Sequence, residues 1–151
     1  MVFRLDEQRY ALPLAAVERV VRAVAVTPVP KAPAIVLGVI DLQGRIIPVL
    51  HLRRKFQRPE RPIQLDDQFV IVRTWQRTVA LAVDQSEGVI ERRDGAIVKP
   101  GEIVPGLTHL TGVLQLDDGL VLIHDVERFL SLDESQALDD ALHQREAAHA
   151  R

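Results

Sequence analysis

The chain has 151 residues, 47% of them hydrophobic, with 19 basic and 21 acidic side chains and no cysteine. That is enough apolar material for one compact domain, or for two small halves sharing a core. The near-neutral balance gives no overall field to draw in nucleic acid or an anionic membrane, and the lack of cysteine excludes a disulfide frame and thiolate chemistry.

Val2-Phe3-Arg4-Leu5 and Tyr10-Ala11-Leu12 flank the polar connector Asp6-Glu7-Gln8-Arg9, which predicts a first hairpin. Charges enter at once, where a secretory leader would be apolar, and no segment approaches the ~20 apolar residues of a membrane span, so a cytoplasmic chain is expected. Leu14, Val17, Val20, Val21 and Val24 recur at spacings of three and four, predicting a helical turn or two. Pro28, Pro30 and Pro33 then fix an extended connection.

The stretch from Gly38 to Leu52 is the most informative in the chain. Val39 to Leu42 and Ile46 to Leu52 read as apolar strands joined through Gln43-Gly44, where glycine supplies the positive φ of a tight turn. Side chains alternate along a strand, so Ile40 and Leu42 are expected inside, with Asp41 and Gln43 exposed near the turn. Pro48 lacks an N–H and is expected at an edge or an irregular position. Arg53-Arg54-Lys55, with Arg58 and Arg61 interrupted by Pro59 and Pro62, reads as a solvated basic loop.

Gln68–Arg73 and Arg77–Asp84 form another predicted hairpin around Thr74-Trp75-Gln76. A short strand over Gly88–Arg92 and a turn-rich loop from Gly95 to Gly106 follow, and Gly112 to Asp125 then reads as a second glycine hairpin, marked by Asp118-Gly119. This hairpin repeats the order of the one at Gly38, so the chain reads as a duplication of hairpin, connector and Gly-Val hairpin, the second copy beginning near residue 66. Val126–Leu130 predicts a helical turn. Ser131-Leu132-Asp133-Glu134 is a capping box that should start a C-terminal helix with Leu132, Leu138 and Leu142 on its apolar stripe, fraying after His143.

No catalytic, metal or cofactor site emerges from spacing. Ser86, Ser131 and Ser135 sit in no nucleophile elbow, and the glycines never fall into a phosphate-binding spacing. His143 and His149 are six apart, while His51, His109 and His124 are scattered over different elements. His124 and Asp125, adjacent along a strand, point to opposite faces. Aromatic residues are too few for nucleic-acid stacking, and Trp75 in its turn is a weak sign of a protein partner. The competing class is a small β-barrel enzyme acting through His51 or His124, which a deep polar pocket holding two histidines would favour.

Four stretches taken together closely resemble the CheW-like coupling domain of bacterial chemotaxis. They are Tyr10-Ala11-Leu12-Pro13-Leu14 with Val17-x-x-Val20; Gly38-Val39-Ile40-Asp41-Leu42-x-Gly44-x-Ile46-Ile47-Pro48-Val49-Leu50-x-Leu52; Ala82-Val83-Asp84; and Leu110-Thr111-Gly112-Val113. The resemblance implies a mainly β fold: two SH3-like five-stranded β-barrels related by a pseudo-two-fold, with a short internal helix. The CheW-like domain would span residues 1–131, and 132–151 would form a helical tail. It also implies a non-catalytic adaptor without cofactor, making no direct contact with membrane or nucleic acid. Such an adaptor docks the regulatory domain of a CheA-type histidine kinase at its barrel ends and the cytoplasmic helical hairpin of a chemoreceptor in an apolar groove between the halves. Carried over residue by residue, the partner-facing set is Val17, Arg19, Val20, Val39, Asp41, Gln43, Arg45 and Val83.

Two departures from the family pattern stand out. The family commonly has Arg directly before the hairpin glycine, where this chain has Gln43 followed, after Gly44, by Arg45. The family also tends to carry Glu two residues after the position of Val17, where this chain has Glu18-Arg19. These departures make a scaffold for a divergent motility or other signalling complex the alternative to standard receptor–kinase coupling.

Overall fold

The computed structural model describes residues 1–90, 97–98, 110–116 and 119–149. Strands β1 (Val2–Leu5), β2 (Gln8–Ala11), β3 (Val17–Arg22), β4 (Val36–Leu42) and β5 (Arg45–Leu50) are followed by a one-turn helix, α1 (Leu52–Lys55). Then come β6 (Gln68–Arg73), β7 (Thr78–Val83), β8 (Gln85–Gly88), β9 (Ile97–Val98), β10 (Leu110–Leu116), β11 (Gly119–His124) and the helix α2 (Leu132–His149).

These strands form one sheet in the order β3-β6-β7-β5-β4 and another in the order β8-β1-β2-β11-β10-β9. Read along the sheets, the orders match position for position, β9 being an added two-residue edge. In both, a hairpin meets the glycine hairpin through a parallel pairing: Val49 and Leu50 beside Ala80 and Leu81 in one, Val121 to Ile123 beside Arg9 to Ala11 in the other. Both glycine hairpins carry a register shift at the same place, between Val36 and Gly38 and between Leu110 and Gly112. Val39 and Val113, which follow those glycines, are both buried. Two SH3-like barrels related by a pseudo-two-fold are therefore present.

The sheets cross the sequence boundary near residue 66. The hairpin β6–β7 joins β3, β4 and β5, whereas β1–β2 joins β8 to β11, so each barrel takes its first hairpin from the opposite copy of the repeat. This exchange interlocks the barrels around a shared core that includes Phe3, Tyr10, Leu50, Leu81, Val126, Phe129 and Leu138. Each barrel also keeps a smaller core of its own, around Ile40, Ile47, Phe69 and Ile71 in one and around Val2, Leu114 and Val121 in the other. β6 is buried on both faces, with Phe69 and Ile71 turned to its barrel and Val70 and Val72 to the shared core.

Several sequence expectations are corrected. The helix expected over Leu14–Val24 is a 3-10 turn at Leu14–Ala16 followed by β3. The stiff, β-branched valines pair well with β6, from Val17 beside Val72 to Arg22 beside Gln68, and tertiary pairing overrides their helical spacing. The first connector is only Asp6-Glu7, because Leu5 pairs with Gln8 and Asp6 takes a positive φ of 53°. The short strand lies at Gln85–Gly88, ahead of its expected place, and β9 occupies part of the expected loop from Gly95 to Gly106. The remainder of that loop, His109 and the turn residues Asp117 and Asp118 lie outside the described residues.

Pro48 lies inside the sheet, with β5 between β7 and β4. It is tolerated because Val39, its partner on β4, turns its N–H and C=O outward to Thr27, at 2.8 Å each, and pairing with β7 begins only at Val49. No neighbour needs an N–H from position 48.

The capping box forms as expected: the Ser131 N–H donates to Glu134 Oε1 at 2.9 Å, and the Glu134 N–H donates to Ser131 Oγ at 3.1 Å. α2 continues past His143 to His149 instead of fraying there. No helix among the described residues is long and apolar enough to cross a membrane.

Candidate protein-docking site

The turn between β4 and β5 is a two-residue reversal in which Gln43 and Gly44 both have positive φ, 53° and 84°, as a type I′ turn requires. Asp41 Oδ1 accepts the Gly44 N–H at 2.8 Å and braces the turn from the side. β3 and β4 are opposite edges of their sheet, yet side chains from β3 reach this turn, so the curled sheet closes on itself here.

Two contacts make the closure. Arg19 donates to Gln43 Oε1 at 3.4 Å. Arg45 donates to both carboxylate oxygens of Glu18 at 3.1 Å and to Thr78 Oγ1 at 3.1 Å. The result is a polar cluster of the exposed Glu18, Asp41, Gln43 and Arg45 with the half-buried Arg19, the side chains of Arg45 and Glu18 being 46% and 37% accessible. Val17 and Val20, half-buried beside it, pack against the shared core. Arg45 thus presents a guanidinium with a fixed direction to any partner, and Asp41 and Gln43 keep accepting capacity at the rim.

The expected set is brought together only in part. Arg19, Asp41, Gln43 and Arg45 meet at the turn, with Val17 and Val20 at its base. Val39 and Val83 present no surface, being 1% and 2% exposed. Val83 belongs to the shared core, and Val39 packs with Val29 and Ala141, because α2 covers the face of β4 opposite Ile40. Ile40 is inside as expected, while Leu42 is half-buried.

The basic segment after β5 is not a solvated loop. Arg53, its side chain 8% accessible, donates to Asp6 Oδ1 and Oδ2 at 3.0 Å each and to Asp84 Oδ1 and Oδ2 at 2.7 and 2.9 Å. Arg61 donates to both oxygens of Asp67 at 2.8 Å and to Asp84 at 2.7 Å, and Arg58 reaches Asp6 at 3.2 Å. The network fastens the β1–β2 turn of one barrel to α1 and the end of β7 in the other.

The hydrogen bonds from Arg53 hold the Asp6 carboxyl below its ordinary range. Burial raises the pKa of Asp67, but the bonds from Arg61 and the Gln64 N–H outweigh it, and the result is also lowered. No local spacing signals this network, whose members come from residues 6, 53 to 67 and 84.

His51 and His124 do not meet. His124 is buried in an aromatic stack, 4.5 Å from Phe56 and 5.5 Å from Tyr10 between ring centroids. His51 Nε2 lies 3.7 Å from Glu60 Oε1, and burial lowers its pKa against the pull of that carboxylate. The recess beside His51, which His124 does not line, has a volume of about 20 Å³, room for roughly one water. Trp75 is 93% exposed at the β6–β7 turn, its backbone N–H donating to Glu127 at 3.1 and 3.2 Å.

Two interlocked barrels that close on a polar surface turn define a small β module built to present surfaces to other proteins. The family model of the CheW-like domain matches residues 1–134, and the chain belongs to that family. It is 26% identical over 144 residues to the chemotaxis protein CheW of Treponema pallidum, covering 91% of this chain and 85% of that protein. With the chemotaxis protein CheW of Helicobacter pylori it shares 29% identity over 132 residues, covering 87% and 80%. The crystal structure of the scaffolding protein TtCheW from Thermoanaerobacter tengcongensis superposes with a TM-score of 0.79 at 28% identity, covering 88% of this chain and 92% of that one.

Proposed function

We propose that the chain is a non-catalytic adaptor of a chemosensory signalling complex, coupling a chemoreceptor to a CheA-type histidine kinase. The observation that carries this reading is the cluster at the β4–β5 turn. Where the family pattern places Glu at the position of Arg19 and Arg at that of Gln43, this chain moves both charges by one step or two, to Glu18 and Arg45. In this chain Arg19 and Gln43 share a hydrogen bond, and Arg45 pairs with Glu18 beside it. The two departures therefore meet on one surface, which sets Glu18 and Asp41 among Arg19 and Arg45.

A surface of this kind selects among partners by electrostatic complementarity more than by raw affinity. The altered arrangement favours a dedicated kinase, from a divergent motility or other signalling complex, over a standard one. A shallow apolar groove of about 760 Å³ lies at the other end of β3 and β4 from the turn, lined by Ala23, Val24, Leu37, Ile63 and Leu65, and offers a separate apolar surface on the same barrel.

The test is titration of the protein against the regulatory domain of the kinase from its own host and that of an unrelated chemotaxis kinase. Tighter binding to the host domain, reduced or redirected by Gln43→Arg, is expected. Equal affinity for both domains in wild type and variant would remove the turn from the site.

A further inference from the structure

A cleft of about 250 Å³ lies where the start of α2 meets the β6–β7 turn and the 3-10 turn Val126–Arg128. Its walls divide by chemistry. Leu50, Val79, Val126, Phe129 and Leu130 form an apolar interior continuous with the shared core, while Thr74, Gln76, Arg77, Glu127 and Ser135 bring polar groups. An apolar recess with a few placed polar atoms is the usual build of a small-molecule site. A dry cavity of about 150 Å³ takes benzene, so this volume takes a six-membered ring carrying one small polar group.

Most of the polar atoms described around the cleft are engaged. The Thr74 hydroxyl donates to the Arg77 carbonyl at 2.8 Å and accepts the Arg77 N–H at 3.2 Å. Ser135 Oγ donates to Gln76 Oε1, and Arg77 Nη2 donates to Asp139. Arg77 Nε differs: it is buried and has no hydrogen-bond partner among the described residues. A buried N–H that has lost water and found no acceptor is destabilising, and a ligand oxygen set against it removes that penalty.

The charges decide which oxygen fits. The lining carries Arg77 and Glu127, and Asp139 on α2 adds a second carboxylate to the same guanidinium. Glu127 is held at the mouth by the Trp75 N–H, at 3.1 and 3.2 Å. A ligand carboxylate would be a third anion beside one cation, and like charges repel most where water is scarce. A neutral carbonyl oxygen meets Arg77 Nε without that repulsion, and Glu127 has lone pairs left for a ligand N–H.

We propose that the cleft binds a small uncharged carboxamide with an aromatic or branched apolar body. Its carbonyl oxygen accepts from Arg77 Nε, and its body rests on Val79, Val126 and Phe129. Bound there, it ties the β6–β7 turn more firmly to α2, which Arg77 already reaches through Asp139.

The experiment titrates benzamide, benzoate and toluene, three probes of similar shape, into the isotope-labelled full chain. Binding is read from two side-chain signals: the Nε–H of Arg77, assigned by its disappearance in Arg77→Met, and the indole N–H of Trp75, the one tryptophan in the chain. Benzamide should shift both and bind on the order of tenfold tighter than benzoate or toluene. Arg77→Met, which leaves Asp139 with its side chain 43% accessible, should bring benzamide down to the affinity of toluene. Leu130→Trp, filling the cleft from its half-buried wall, should leave the Arg77 signal unmoved by benzamide. Four outcomes would overturn the proposal: an Arg77 signal that benzamide does not move in the unaltered chain, as for a cleft holding water alone; benzoate or toluene binding as tightly as benzamide; benzamide affinity unchanged in Arg77→Met; or an unchanged response in Leu130→Trp. The unaltered chain decides by itself should either substitution disturb the fold.

Discussion

Two clusters of arginines and carboxylates, one at the junction of the barrels and one at the β4–β5 turn, do opposite work. Around Arg53, the guanidinium is buried and both its faces are spoken for, by Asp6 from one barrel and Asp84 from the other. Around Arg45, the same chemistry stands half in solvent, with Glu18 and Thr78 as its partners and the Arg45 side chain 46% accessible. A buried charge stripped of its partners costs several kcal/mol, whereas an exposed pair contributes about 0–1 kcal/mol to folding. Burial, not residue type, makes the first cluster a fastener and leaves the second free for a partner.

The sharpest way to break this comparison is Arg53→Ala. It leaves Asp6 and Asp84 facing each other at the barrel junction, and it should cost about 3 kcal/mol, the lower end for a broken buried pair because both carboxylates keep some water. Urea unfolding measures it. A loss under about 1 kcal/mol would place Arg53 with the surface cluster.

Acid sharpens the same contrast. Asp6 and Asp67 have folded pKa values below the ordinary carboxylate range. Their contribution is complete above the unfolded value of about 4 and is lost as pH falls through the lower folded values. His51, also lowered, acts in the same direction at higher pH: folding favours its neutral form, so stability begins to fall as pH drops through about 6.5. The stability gap between wild type and Arg53→Ala should therefore narrow below about pH 4, since protonation does to Asp6 what the substitution does. A constant gap would show that Arg53 acts through packing alone.

Ser131→Ala supplies a control of intermediate size. Losing the cap should cost about 1 kcal/mol in unfolding experiments and leave kinase-domain affinity unchanged, because the cap is remote from the turn cluster. Smallest in stability is Gln43→Arg, at under about 0.5 kcal/mol, since the side chain is exposed. Its effect on partner choice should be larger, because the new cation faces Arg19. Pairing it with Arg19→Glu should restore the family's own arrangement, and affinity for a standard chemotaxis kinase domain should rise with it.

What the sequence disclosed follows the range of the interactions involved. The two glycine hairpins, the capping box and the repeated order of elements were legible because turn chemistry and alternation act over a few residues. The valines of β3 fit both a helical and a strand period, and only pairing with β6 decides between them. The exchange of hairpins between copies left no local trace, and neither did the Arg53 network that this exchange makes possible. At the site, Gln43 looked like a lost arginine. In the structure Arg19 meets Gln43, and Arg45 meets Glu18, so the two departures lie at one place.

A surface cluster that binds and a buried one that fastens must respond differently to the loss of an arginine. Arg45→Ala separates the two directly, with calorimetric titration against the host kinase's regulatory domain and urea unfolding run on the same preparation. Affinity should fall at least tenfold, the size expected for a charge-assisted pair of about 1.5–3 kcal/mol, with the unfolding midpoint unmoved. Unchanged affinity, or a loss of affinity matched by a loss of stability like that of Arg53→Ala, would contradict it.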